Sequence, residues 1–159
     1  MNRLVVADAG PLIALARLGA LALLPELFSQ ALVTPQVLAE CEARPDRDEG
    51  AALRAAIACG HLMLRAPQAT VPSWGVDAGE SSAMALALEA AAGVLMDDRA
   101  GRIVAGHLGL DVIGTAGLLV LAKRRGRITT IRSHLEFLVD SGYFLGPAVV
   151  AEALRLAGE

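Results

Sequence analysis

In the segment Leu4-Val5-Val6-Ala7-Asp8, four apolar residues directly precede an acid. A later stretch, Gly93-Val94-Leu95-Met96-Asp97-Asp98, repeats this arrangement with two acids at its end. Short, fully apolar runs are typical of strands buried in a parallel sheet. Ligands bind such sheets outside the carboxyl ends of their strands. We therefore expect both acidic endings at one edge of a sheet, where a ligand can reach them.

The rest of the chain alternates short apolar runs with helical stretches, which indicates an α/β architecture. Pro11 begins a helix that Gly19 ends, and Thr34-Pro35 is a helix cap followed by a first-position proline. Pro45-Asp46 predicts a break between two helices. The predicted strands are residues 4–7, 31–33, 62–64, 94–96 and 111–114. The predicted helices are residues 11–18, 20–28, 35–43, 48–59, 78–92, 99–108, 115–125, 131–139 and 147–157.

Composition limits the class of protein. The 159 residues suffice for a single domain, 1–159, and the 55% apolar content with 3% aromatics implies a core of aliphatic side chains. No run is long and apolar enough for a membrane span. Cys41 and Cys59 lack metal or redox spacing, so we expect reduced thiols in a cytoplasmic protein. The net charge of −3 argues against a general nucleic-acid coat but permits a nuclease.

Acids at the expected strand ends and on nearby helices are the candidates for chemistry. Grouped carboxylates repel one another, and burying each costs several kcal/mol unless a counter-charge is bound. Oxygen-only ligation favours Mg²⁺ or Mn²⁺ over zinc. Each acid also has an ordinary structural reading, since Asp8 and Asp98 could cap helices and Glu80 stands at capping-box spacing from Asp77. The candidates are Asp8, Glu40, Glu80, Asp97 and Asp98.

Five segments carry a family resemblance through their order and spacing. They are VVADAGPLIALA (5–16), VTPQVLAE (33–40), DAGESSAMALA (77–87), LMDDRA (95–100) and VIGTAGLL (112–119). Together they resemble the PIN-domain family, and most closely its bacterial and archaeal group long labelled as a domain of unknown function. The resemblance implies a three-layer α/β/α sandwich with a central parallel sheet. It also implies metal-dependent cleavage of RNA, as by the toxin of a toxin–antitoxin pair, with a small antitoxin as partner.

The same resemblance assigns roles to individual acids. It places the first-strand acid at Asp8, the second-helix acid at Glu40 and the third acid at Glu80. The last acid falls on the pair, with Asp98 as the counterpart and Asp97 in the variable place. Asp8, Glu40, Glu80 and Asp98 are then the catalytic set. Mg²⁺ or Mn²⁺ would be held by Asp8 and Asp98, with Asp97 and Glu80 in support.

The chain departs from the family pattern at two positions, and this keeps a second reading open. Glu80 replaces the usual aspartate and reaches about one carbon further, while Met96 replaces a threonine whose hydroxyl could orient a ligand. Both departures favour a catalytically weak or inert PIN-like interaction module as the alternative. A receiver-like phosphotransfer domain ranks below both readings, because Asp8 is followed by Ala9-Gly10 and not by a second acid.

Basic and aromatic residues are candidates for RNA contact. Arg99 and Arg102 follow the acid pair, and Lys123 and Arg124 belong to a dense basic cluster. Cations also favour helix C-termini for electrostatic reasons alone, so a solvated helix end explains the cluster equally. Trp74, in a loop, could stack on a base or anchor that loop on the core.

The high apolar content also predicts assembly. A mean hydropathy of +0.53 indicates more apolar surface than one small sandwich readily hides. The candidate contact regions are residues 117–122 and 147–156. We expect a homodimer that buries at least roughly 1,000 Å² in total.

Overall fold

A computed structural model describes residues 3–43 and 47–159, and its centre is a five-stranded sheet in which every pairing is parallel. The strands are β1 (Leu4–Ala7), β2 (Gln30–Val33), β3 (Met63–Leu64), β4 (Gly93–Leu95) and β5 (Val112–Ile113). Their order across the sheet is β3-β2-β1-β4-β5. The break predicted at Pro45-Asp46 lies outside the described residues.

Helices cover both faces of this sheet, which confirms the predicted three-layer α/β/α sandwich. The helices of the described residues are α1 (Ala9–Arg17), α2 (Leu23–Leu27), α3 (Pro35–Glu42), α4 (Glu49–Ala58), α5 (Ala78–Ala90), α6 (Arg99–His107), α7 (Thr115–Arg124), α8 (Arg132–Asp140) and α9 (Pro147–Ala157). Most predicted boundaries hold within a few residues. Helix α2 is shorter than predicted and Pro25 lies inside it, in the first turn, where a proline is tolerated because its missing N–H would have no partner.

Strand β1 is the centre of the sheet because its side chains are wholly apolar and can be covered on both faces. Val5, Val6 and Ala7 are buried, and β1 pairs with β2 on one side and β4 on the other. The register sets Ala7 beside Leu95, and the Asp8 amide donates to the Leu95 carbonyl at 2.9 Å. The acids that follow β1 and β4 therefore leave the sheet at the same edge.

A buried pair of hydroxyls fixes α3 against α5. Thr34 ends β2 and caps α3, where its Oγ1 accepts from the Val37 amide at 3.2 Å. The same oxygen is hydrogen-bonded to Ser82 Oγ at 2.7 Å, and Ser82 Oγ donates to the Gly79 carbonyl at 2.8 Å. This connection holds the C-terminal half of α3, with Glu40, beside the first turn of α5.

The two regions proposed for assembly have different environments. In α7, Leu118, Leu119 and Val120 are buried, and the helix packs against α9 within the chain. In α9, Val149 is 50% exposed and Leu156 is 41% exposed. Of these two regions, only α9 therefore exposes large apolar side chains that could contact a second copy of the chain, because those of α7 are buried in the core.

Two further sequence expectations concern the membrane and the thiols. Among residues 3–43 and 47–159, no helix has the length and apolar character needed to cross a bilayer. Cys41 is buried and Cys59 is exposed, and both are free thiols.

Candidate functional site

An acidic cluster lies at the carboxyl end of the central strands. The structure brings Glu40, Glu80 and Asp98 close to Asp8: Glu40 and Asp98 raise the pKa of Asp8, and Asp8 and Asp98 raise that of Glu80. Asp77, the N-cap of α5, joins them and acts on Asp8, Glu40 and Glu80. The sequence predicted Asp77 only as a helix cap, so its place in the cluster is a finding of the structure.

Asp8 is, with Glu80, one of the two buried members of the cluster. It is 6% exposed, and its Oδ1 is buried without a hydrogen-bond partner among the described residues. The pKa of Asp8 is raised to about 7, mainly by burial and in smaller part by the carboxylates of Asp77, Glu40 and Asp98, against a lowering by the Ala9 amide. An unpaired oxygen on a buried carboxyl is costly, and a bound cation would remove that cost.

Glu40 reaches the cluster by lying directly on a glycine. A Cβ at Gly79 would come within 2.1 Å of Glu40 Oε1, so only glycine leaves room for this carboxylate. Much of the Glu40 residue is exposed, but its carboxyl end is tucked against the first turn of α5. Burial of that end raises the pKa of Glu40, Asp77 raises it further, and the Gly79 amide lowers it.

Glu80 is buried between the first turns of α5 and α6. Its carboxyl carbon lies 3.2 Å from the position a Cβ would take at Gly101, and Met96 Sδ lies 2.6 Å from the same position. The pKa of Glu80 is raised to about 7, mainly by burial and in smaller part by Asp77, Asp8 and Asp98, against a lowering by the hydrogen bond to the Asp77 backbone. Gly101 thus makes room for both departures from the family pattern, the longer acid and the methionine.

The acids also serve as helix caps, as their spacing indicated. Asp98 Oδ2 accepts from the Gly101 amide at 3.0 Å, and Asp77 Oδ1 accepts from the Glu80 amide at 2.7 Å. Asp8 occupies the N-cap position of α1, but its side chain makes no capping hydrogen bond. Because a helix N-terminus favours negative charge, these helix ends offset part of the repulsion between the carboxylates.

Asp97 faces a different set of partners. Its Oδ1 accepts from the Thr115 amide at 2.7 Å, and its Oδ2 accepts from Thr115 Oγ1 at 2.6 Å and from the Tyr143 hydroxyl. Asp97 therefore connects the first turn of α7 to the segment that follows α8. Burial raises the pKa of Tyr143, and Asp97 raises it further. No local pattern predicts this contact, although Tyr143 is the sole tyrosine of the chain.

The predicted basic residues are divided between two locations. Arg99 is exposed at the start of α6, and Arg102 Nη1 donates to the Met96 carbonyl at 2.9 Å, so both belong to the acidic edge. Lys123 Nζ pairs with Glu159 at 2.9 Å, and Arg124 Nη2 donates to the Leu156 carbonyl at 3.2 Å. These two residues lie at the far end of α7 and hold the C-terminal helix, so the structure does not bring them to the cluster.

The cluster suits a hard divalent cation in its chemistry. Within the described residues, no three carboxylate, histidine or cysteine side chains already stand in a metal-holding arrangement. The donors that converge are all carboxylate oxygens, Asp8 Oδ1 lacks a protein partner, and mutual repulsion favours an added positive charge. This donor set fits Mg²⁺ or Mn²⁺, which prefer oxygen ligands.

Family comparison agrees with the fold. The model of the PIN domain family matches residues 4–159, so the chain belongs to that family. PIN domains are generally nucleases and generally use divalent metals. No curated protein matches the chain.

Solved structures give independent support for the fold. The chain is similar to a PilT N-terminus domain protein, SSO1118, from the hyperthermophilic archaeon Sulfolobus solfataricus P2. The TM-score is 0.57 at 18% sequence identity, over 73% of this chain and 90% of that chain. At this identity the likeness concerns the fold alone.

Proposed function

We propose that this protein is a metal-dependent ribonuclease of the PIN type. The observation that carries the proposal is the buried Asp8 carboxylate, with one oxygen free of protein partners, at the centre of a cluster of acids. Family membership supports it, because PIN domains are generally nucleases. The match over residues 4–159 also supports a single PIN-like domain.

Each acid has a task in this proposal. Asp8 and Asp98 would hold the divalent cation, with Glu80 in support, and the cation would stabilise charge at phosphorus. Glu80, which is buried beside Asp8 and Asp98, would accept a proton from the attacking water. Glu40 is fixed against α5 and would orient that water. In the structure Asp97 positions α7 and Tyr143, and its part in metal binding stays a prediction.

The inert interaction module remains the second candidate because Glu80 and Met96 depart from the family pattern. The structure weakens this argument at one position, since Gly101 leaves space for the longer Glu80 side chain within the cluster. A role as a toxin further requires a small antitoxin. A short gene directly upstream that encodes such a partner would support that role.

We expect purified protein to cleave a mixed RNA pool when Mn²⁺ or Mg²⁺ is present and to leave it intact in EDTA. The reason is that the clustered carboxylates cannot approach an RNA phosphate without a neutralising cation. Gel analysis of end-labelled RNA is the measurement, with a single-stranded DNA pool as the parallel substrate. Intact RNA with both metals would favour the inert module.

We also propose a homodimer, with the exposed side of α9 as the contact. Val149 and Leu156 are the apolar side chains that this helix exposes. The expected interface buries at least roughly 1,000 Å² in total, the usual minimum for a specific contact. Light scattering at micromolar concentration should give twice the 16.4 kDa chain mass, and a mass near that of one chain would contradict the proposal.

A further inference from the structure

The loop between α8 and α9 (residues 141–146, the α8–α9 loop) is fastened at several points. At its start, Ser141 Oγ donates to the Leu138 carbonyl at 2.7 Å, and Arg17 Nη1 donates to the Ser141 carbonyl at 3.3 Å. Further along, the Tyr143 hydroxyl donates to Asp97, and Leu145 packs against the core. The backbone on both sides of residue 144 is therefore held in place.

Phe144 projects from this fixed loop into solvent. It is 87% exposed, the highest value among the exposed large apolar side chains of the described residues. Its neighbours Tyr143 and Leu145 are turned inward, so the loop presents one isolated ring. A single ring is far smaller than a specific protein interface, which needs roughly 800 Å² from each partner.

We propose that Phe144 stacks on a base of the RNA beside the acidic cluster, an inference that rests on the proposed function. Tyr143, the adjacent residue, contacts Asp97, which places the loop at the same edge of the sheet as the cluster. Acids repel a phosphate backbone, whereas a neutral aromatic ring can hold a base without any charge. Base–aromatic stacking adds about 1–3 kcal/mol per base and tolerates any sequence. Trp74, the alternative from the sequence, is only partly exposed and packs against the core.

The test is binding of a labelled single-stranded RNA with Ca²⁺ added to neutralise the acidic cluster, measured by fluorescence anisotropy, with a gel to show that the RNA stays intact. We expect Phe144→Ala to weaken binding roughly tenfold and Phe144→Trp to restore it, since a larger ring stacks at least as well. The matched control is Phe137→Ala on α8, because Phe137 is a second exposed phenylalanine at 51% and should leave binding unchanged. Melting temperatures of all variants should match the wild type, since both side chains are exposed.

Tryptophan fluorescence tests the stacking of the ring directly. Phe144→Trp adds a second tryptophan to a chain whose single native one is Trp74. RNA should quench the added emission relative to the wild type if the ring stacks on a base. No quenching together with unchanged affinity in Phe144→Ala would overturn the proposal. A loss of dimer mass in Phe144→Ala with unchanged RNA affinity would overturn it in favour of a contact between copies.

The cleavage assay separates this inference from the proposed function. A wild type that cleaves RNA while Phe144→Ala binds and cleaves equally would leave the nuclease proposal intact and overturn the stacking role. A wild type that binds RNA through Phe144 but never cleaves would overturn the nuclease proposal and support the stacking role. A wild type that neither binds nor cleaves would overturn both.

Discussion

Asp8→Asn is expected to reduce RNA cleavage by at least roughly 100-fold, because losing even an outer-shell partner of a metal site costs about 10–100-fold. The variant keeps the size of the side chain and removes its charge. Among the described residues, Asp8 also supplies the one buried carboxylate oxygen without a hydrogen-bond partner, so no neighbour duplicates its contact with a cation. The measurement is the cleavage rate at saturating Mn²⁺.

The same substitution is expected to stabilise the metal-free protein above neutral pH. The pKa of Asp8 is raised from 3.8 to about 7 in the folded state. Folding is therefore less favourable at any pH where the Asp8 carboxyl is ionised in the unfolded chain but still protonated, or ionised at a cost, in the folded protein. The penalty is absent below about pH 4 and grows to at most roughly 4 kcal/mol as pH rises through 7. A neutral Asn escapes it. We expect a melting temperature higher by several degrees at about pH 8 in EDTA, at 2–4 °C per kcal/mol.

Measuring both cleavage activity and melting temperature excludes misfolding as the cause of lost activity. A variant that is inactive because it is misfolded would melt earlier, whereas Asp8→Asn should be inactive and melt later. The matched control is Asp140→Asn, which makes the same change at an exposed position at the end of α8 and should alter neither quantity. Wild-type cleavage by Asp8→Asn would remove Asp8 from the site.

The second large effect is stabilisation by metal that depends on pH. At about pH 8, Mn²⁺ at 100 times its dissociation constant should add about 2.7 kcal/mol, which is roughly 5–10 °C in melting temperature. At about pH 5 the shift should be much smaller, because Asp8 and Glu80, with pKa values of about 7, hold protons that a metal must displace.

The sign of the metal-free pH dependence follows from the same two acids. Their folded pKa values are raised, so their contribution to stability is fully present below the unfolded values near 4 and is lost as pH rises through about 7. Without metal, the melting temperature should therefore fall between about pH 5 and pH 8. Calorimetry with Mn²⁺, Mg²⁺ and EDTA is the measurement. An equal metal shift at both pH values, or the same shift in Asp8→Asn, would count against a metal held by these carboxylates.

The sheet and most of its acids could be predicted from the sequence because both depend on local patterns. An apolar run that ends in an acid identifies a buried strand and its carboxyl end together, as at Asp8 and at Asp98. Parallel connections then place those ends at one edge. The positions of Glu40 and Glu80 could not be predicted from local patterns alone. The position of a helix over that edge depends on tertiary packing such as the Thr34–Ser82 contact.

The remaining features could not be predicted because they arise from tertiary contact. Tyr143 meets Asp97 across 46 residues of sequence, and no local pattern encodes such a pairing. Gly79 and Gly101 lie in helical segments with no distinguishing sequence pattern. Only the structure shows that their missing side chains make room for the carboxyl groups of Glu40 and Glu80. The sequence predicted Asp77 only as a helix cap and not as a member of the acidic cluster. Lys123 and Arg124 show the opposite case, in which a dense basic pattern serves the packing of α9.

The Tyr143–Asp97 hydrogen bond makes the last two helices part of the acidic edge, and this has a consequence for local unfolding. Proteins open locally in cooperative segments that are less stable than the whole. If α8 and α9 detach while the sheet stays folded, Asp97 loses its tyrosine partner and Phe144 leaves the edge with the loop. The local stability of the C-terminal helices, and not only that of the sheet, then sets the fraction of molecules whose acidic edge is complete.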